Sequence, residues 1–182
     1  HSKLSAAGIA YLVAKAISSA NVDLAKLAVV GNVGDMMARE DCRLVGPARE
    51  MVNDGVECGS IQVLGKTLNC YGISTRPVHI ALAYNDDPFV PGISNNPQGA
   101  LNFLQKLGVR LKSDGGQWMV WEELSFEDKR TITSALVQQL IAHGIPHSRL
   151  FAEAYIFPTE VKRTPLRNAS EFATLLNACG RW

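Results

Sequence analysis

Apolar residues recur along most of this chain at the three-to-four-residue spacing of a helix, and in two short stretches at the alternating spacing of a strand. Residues 4–19 predict a helix: Ser5 suits an N-cap, and Ile9, Leu12, Val13 and Ile17 fall on one face. Ala6, Ala7, Gly8, Ala10 and Ala14 are small, so another element can approach this helix closely. Residues 24–37 form a second apolar segment. Its length and its Ala and Leu favour a buried helix, while Val29, Val30 and Gly31 leave a strand open. A third helix is expected over 43–53, ended near Gly55.

The pattern then shifts. Ile61, Val63 and Leu64, followed by Leu68 and Tyr71 with Gly65-Lys66 between, predict a hairpin over 60–72. A short helix is expected over 76–84, starting at Pro77, and a loop rich in Pro, Gly and Asn over 87–98. A helix over 99–107 is stopped by Gly108. The clearest helix is 124–143: Ser125 caps it, Glu127 and Asp128 sit in the first turn, and Gly144 ends it. Residues 151–157 predict a strand. A last helix over 168–178 would set Phe172, Leu175 and Leu176 on one face.

Composition narrows the class. With 47% hydrophobic and 19% charged residues over 182, the chain can bury a sizeable core and is not a disordered one. Its longest apolar run, 6–14, falls far short of the roughly 20 residues a membrane span needs. Lys15 breaks that run and no small-residue cleavage site follows, so no signal peptide is read. A net charge of +1 does not announce a nucleic-acid binder. Residues 161–182 are locally basic, with Lys162, Arg163, Arg167 and Arg181 against Glu171, which suits a phosphate-facing surface or a solvated helix face. Cys42, Cys58, Cys70 and Cys179 show no zinc spacing, so free thiols in a reducing cytoplasm are expected. The chain begins His-Ser-Lys and stops at Gly180-Arg181-Trp182, which suggests a piece of something longer.

No complete active-site motif is present: there is no GxSxG, P-loop or HExxH. His79, His143 and His147 fit no ligand pattern, and Trp118 and Trp121 suit either the core or base stacking. Asp35 stands out, because it follows the apolar run Val29-Val30-Gly31-Asn32-Val33-Gly34. A carboxylate so placed either caps the next segment or coordinates a metal.

Four stretches, in order, resemble archaeal RecJ-like nucleases of the DHH phosphoesterase superfamily. Leu4-Ser5-Ala6-Ala7-Gly8-Ile9-Ala10-Tyr11-Leu12 resembles the run that follows the family's DHH motif. Leu27-Ala28-Val29-Val30-Gly31-Asn32-Val33-Gly34-Asp35-Met36 is similar to a later motif that carries a metal-binding Asp. Tyr71-Gly72, Thr75-Arg76-Pro77 and Asp87-Pro88-Phe89-Val90-Pro91-Gly92 are similar to a stretch of archaeal members. Thr164-Pro165-Leu166-Arg167-Asn168-Ala169-Ser170-Glu171-Phe172, continuing through Leu176 to Arg181, resembles the opening of the DHH-associated domain.

The resemblance implies a helix-rich α/β fold in four parts. These are the C-terminal part of a DHH catalytic domain (1–58), an inserted α+β module (59–124), a linker helix region (125–150) and the start of the substrate-binding DHH-associated domain (151–182). It implies a hydrolase, a manganese- or magnesium-dependent exonuclease on single-stranded DNA or RNA in replication or repair. Of the family's metal ligands only Asp35 has a counterpart here, and the glycine- and histidine-rich substrate signature is absent. The chain alone is therefore expected to hold no metal stably and to hydrolyse nothing.

Arg167 and Arg181 are the candidate phosphate contacts. Phe89, Val90 and Ile93 are the candidate partner contacts, since family relatives use such an insertion to dock on the GINS and replicative helicase assembly. A non-catalytic replisome scaffold and a phosphoesterase of short oligonucleotides or cyclic dinucleotides are the other readings. Helices lacking the family's parallel sheet would leave an apolar face open, so a dimer is expected in isolation.

Overall fold

The computed structural model describes residues 4–180, a helix-rich α/β fold with one two-stranded sheet. In order, its main elements are α1 (Ala6–Ile17), α2 (Ala25–Gly34), α3 (Pro47–Glu57), β1 (Gln62–Leu68), α4 (Val78–Ala83), α5 (Pro97–Lys106), α6 (Phe126–Ala142), β2 (Phe151–Ile156) and α7 (Ala169–Cys179). They divide into two compact units. One joins residues up to 67 with those from 152 onward, and the other is 68–151. The four parts that the resemblance implies divide instead after 58, 124 and 150.

In the first unit α2 is the buried helix, with Ala25, Ala28, Val29, Val30 and Asn32 all at 2% exposure or less. The strand alternative for this segment is thereby closed. Small residues let its neighbours approach: a Cβ on Gly31 would lie 2.5 Å from Ala7 Cβ in α1, and one on Gly34 would lie 3.3 Å from Ala173 Cβ in α7. Ser5 caps α1 as expected, its Oγ accepting the Gly8 amide at 3.0 Å. The buried face of α1 is Gly8 and Tyr11, however, not the expected stripe. Ile9, Leu12, Val13 and Ile17 are 38–79% exposed.

Three further expectations are corrected. Helix α3 starts at Pro47, four residues late. Gly46 adopts φ 59°, and proline is suited to the first helical position. Leu44 stays outside the helix, buried, with its amide donating to the Tyr155 hydroxyl at 2.7 Å. Gly55 does not end α3. It is buried within it, where a Cβ would meet Ile61 Cδ1 at 2.3 Å. The 60–72 hairpin is instead one strand, β1, running straight through Gly65-Lys66 to pair with β2. A lone two-stranded hairpin has little stability of its own. Pairing with β2 instead brings Ile61 and Val63 against a core that holds Tyr155 and Phe157. Finally, α7 buries Ala169, Glu171 and Ala173, while Leu175 and Leu176 are 41% and 48% exposed.

The second unit follows its sequence closely. Pro77 precedes α4, Asn96 caps α5 by accepting the Gly99 amide at 2.8 Å, and Ser125 caps α6 by accepting the Asp128 amide at 3.0 Å. Ile132, Leu136 and Leu140, one α6 face at four-residue spacing, are fully buried. Among the described residues no helix is long and apolar enough to cross a membrane.

Candidate functional site

Asp35 is the C-cap of α2 and is exposed, followed by Met36 at φ 59°. It caps no later helix, since α3 begins at Pro47. A carboxylate at a helix C-terminus faces the negative end of the helix dipole, an arrangement that costs about 0.3–1 kcal/mol where a cation would gain it. Local stability therefore does not explain this residue. One turn earlier on the same helix, Asn32 is fully buried. Asn32 Oδ1 accepts the Ser5 amide at 2.9 Å, and its Nδ2 donates to the Ala28 carbonyl at 2.9 Å and to Met51 Sδ at 3.3 Å. One amide thus ties α1, α2 and α3 together.

A two-metal site needs several oxygen or nitrogen donors per ion. Among the described residues no group of three or more His, Cys, Asp or Glu side chains comes together in that way. The donors present do not fit such a centre, and Asp35 is a single carboxylate.

Arg167 lies just before α7, half-buried, and its guanidinium donates to the carbonyls of Pro158 at 3.3 Å and Glu160 at 3.1 Å. It staples the turn after β2. Arg181 lies outside the described residues. Of the three expected partner contacts, Phe89 is 47% exposed, but Val90 and Ile93 are each 3% exposed and belong to the core of the second unit. The loop turns them inward: Ser94, itself buried, accepts the Val90 amide on its Oγ at 2.8 Å.

The sequence did not single out an aromatic–cation group on the second unit. Arg76 Cζ lies 4.8 Å from the centroid of the Tyr71 ring and 4.9 Å from that of Tyr84. Nearby, the antiparallel bridge between Pro77 and Val120 sets His79 against Trp118, ring centroids 4.6 Å apart, with Lys112 Nζ 4.6 Å over the same indole. His79 Nδ1 is buried without a hydrogen-bond partner, and burial holds its imidazole below the usual pKa. Trp118 is thus covered by its neighbours and Trp121 is 5% exposed, so neither is an open stacking platform. All four cysteines are free of disulfides, and burial pushes the Cys70 thiol up to about 12.

Residues 70–152 match the family model described as the DHH-CID domain. The match begins two residues after the second compact unit begins and ends one residue after it ends, so that sequence family and folded unit coincide. This supports a member of the DHH superfamily, of phosphoesterase type. No curated protein matches the chain.

Proposed function

We propose that this chain is part of a RecJ-type, metal-dependent phosphodiesterase, an exonuclease on single-stranded DNA or RNA in replication or repair. The observation that carries the reading is the DHH-CID match over 70–152, which coincides with one compact unit of the chain. Asp35 supports it, as an exposed carboxylate at the C-terminal end of a buried helix, where the helix dipole disfavours a negative charge. Manganese or magnesium is the proposed metal, with Asp35 as one ligand among donors beyond those described. The basic segment around Arg167 and Arg181 is the proposed phosphate-facing surface. In the longer protein, Asp35→Asn is expected to lower manganese-dependent kcat by roughly a thousandfold or more with KM little changed, since metal stabilisation is exerted chiefly in the transition state. An unchanged kcat would remove Asp35 from the site.

A second reading is favoured by one observation, the exposed Tyr84 and Phe89 on the 68–151 unit. In it the protein is a replisome scaffold that meets the GINS and helicase assembly through this unit. The uncovered stripe of Ile9, Leu12, Val13 and Ile17 is proposed to drive self-association of the isolated chain. Sedimentation over rising concentration checks this. Dimer is expected to accumulate and to be lost in Val13→Lys, whereas a monomer throughout contradicts it.

A further inference from the structure

Among the described residues, the guanidinium of Arg76 makes no hydrogen bond and no salt bridge. Its contacts are the rings of Tyr71 and Tyr84. Aromatic faces attract the positive charge but do not satisfy the five N–H donors of the planar fork. The local backbone is shaped for this arrangement. Gly72 has φ +86°, and a Cβ there would come within 2.6 Å of Arg76 Cδ and 2.7 Å of Cγ. A glycine thus makes room for the stem, and two tyrosines fix the head. Tyr84 is 62% exposed and Tyr71 37%, so the head is held at the surface.

Five of the seven acids of this unit have partners other than Arg76. Asp87 pairs with Arg149 and Asp114 with Arg110; Glu122 accepts from Ser74, Glu123 accepts the Val120 amide, and Asp128 bonds Ser125. Among the described residues Arg76 has no salt-bridge partner, and neither Asp86 nor Glu127 reaches it within ion-pair distance.

We propose that Arg76, braced by Tyr71 and Tyr84, is a docking point for a carboxylate of an acidic peptide segment on a partner protein. The planar fork suits bidentate recognition of a carboxylate, and Tyr and Arg are the residue types that anchor protein interfaces. Charge balance favours a peptide over a nucleic acid. Residues 68–151 carry seven Lys and Arg against seven Asp and Glu, so this unit lacks the excess of cations that phosphate binding by counterion release requires. The inference rests on the docking reading of this unit and not on the nuclease reading.

Fluorescence anisotropy of the whole chain tests it with three labelled probes: a peptide alternating glutamate and leucine, its glutamine counterpart, and an oligothymidine of similar length. Binding is expected for the glutamate peptide alone. It should weaken roughly tenfold or more in both Arg76→Ala and Arg76→Lys, as for truncation of an interface arginine. Tyr84→Leu, at an exposed position that leaves the fold intact, should weaken it severalfold. Melting temperatures of the variants monitor folding. No binding of the glutamate peptide by the wild-type chain overturns the proposal, while the docking reading falls only if the chain also fails to bind the GINS and helicase assembly itself. Binding that is equal in Arg76→Lys and Tyr84→Leu overturns the assignment to Arg76 while leaving docking elsewhere on the unit. Arg76-dependent binding of oligothymidine overturns the peptide in favour of a phosphate ligand.

Discussion

Replacing Asn32 with alanine is expected to destabilise the first unit by about 3 kcal/mol. The loss of a buried partner leaves the Ser5 amide unsatisfied, at about 1–3 kcal/mol, and a cavity adds to it. Both Asn32 and Ser5 are shielded from water, at 0% and 3% exposure, so solvent cannot replace the lost acceptor. The same change removes the donor to the Ala28 carbonyl and the contact to Met51 Sδ, and so loosens α2 from α1 and α3 together. Asn32→Asp should be worse, since it sets a buried carboxylate where a donor faces a carbonyl. Hydrogen exchange provides the readout: protection should fall across α1, α2 and α3. Wild-type protection in those helices would contradict the tie that Asn32 is assigned.

Leu140→Ala is the counterpart in the second unit. Leu140 is fully buried on the α6 face that also carries Ile132 and Leu136. Truncating a fully buried leucine costs about 3–5 kcal/mol, from lost transfer free energy and the void left behind. Exchange protection in α6 should fall. Leu140→Met, which conserves volume, should lose less than about 1.5 kcal/mol. Equal losses in the two variants would mean that shape at this site, not buried volume, decides stability.

Where the chain carried its structure in local signals, the sequence was readable. Ser5 and Ser125 cap helices through side-chain oxygens and Pro77 stands at a helix start, all from short-range chemistry, while α5 begins at Pro97, two residues earlier than the loop expected over 87–98 allows. What failed depended on partners far away in sequence. Gly65-Lys66 looks like a turn until a strand more than 80 residues later offers β1 a pairing partner. Gly55 looks like a helix stop until Ile61 packs on it. The α1 stripe of Ile9, Leu12, Val13 and Ile17 is open, in keeping with the apolar face expected to be left uncovered, but that Gly8 and Tyr11 make the close contacts was not read. Helical period gives amphipathicity but not which face meets a neighbour.

The candidate site divides along the same line. Asp35 drew notice as a carboxylate after a long apolar run, and it stands exposed at the C-cap of α2. Val90 and Ile93 were misjudged because a Pro- and Gly-rich loop reads as surface, while Ser94 folds it inward. Arg76 gave no local signal, since Tyr71 and Tyr84 reach it from either side in sequence at no regular period.

The measurement that bears most directly on the account is manganese-dependent hydrolysis of end-labelled single-stranded DNA and RNA by this chain and by Asp35→Ala, at enzyme concentrations up to stoichiometric with substrate. A lone carboxylate cannot hold two cations that each need several ligands, so neither protein should cleave above background. Cleavage by the wild-type chain that disappears in Asp35→Ala would contradict this, because the described residues would then assemble a working metal centre around Asp35.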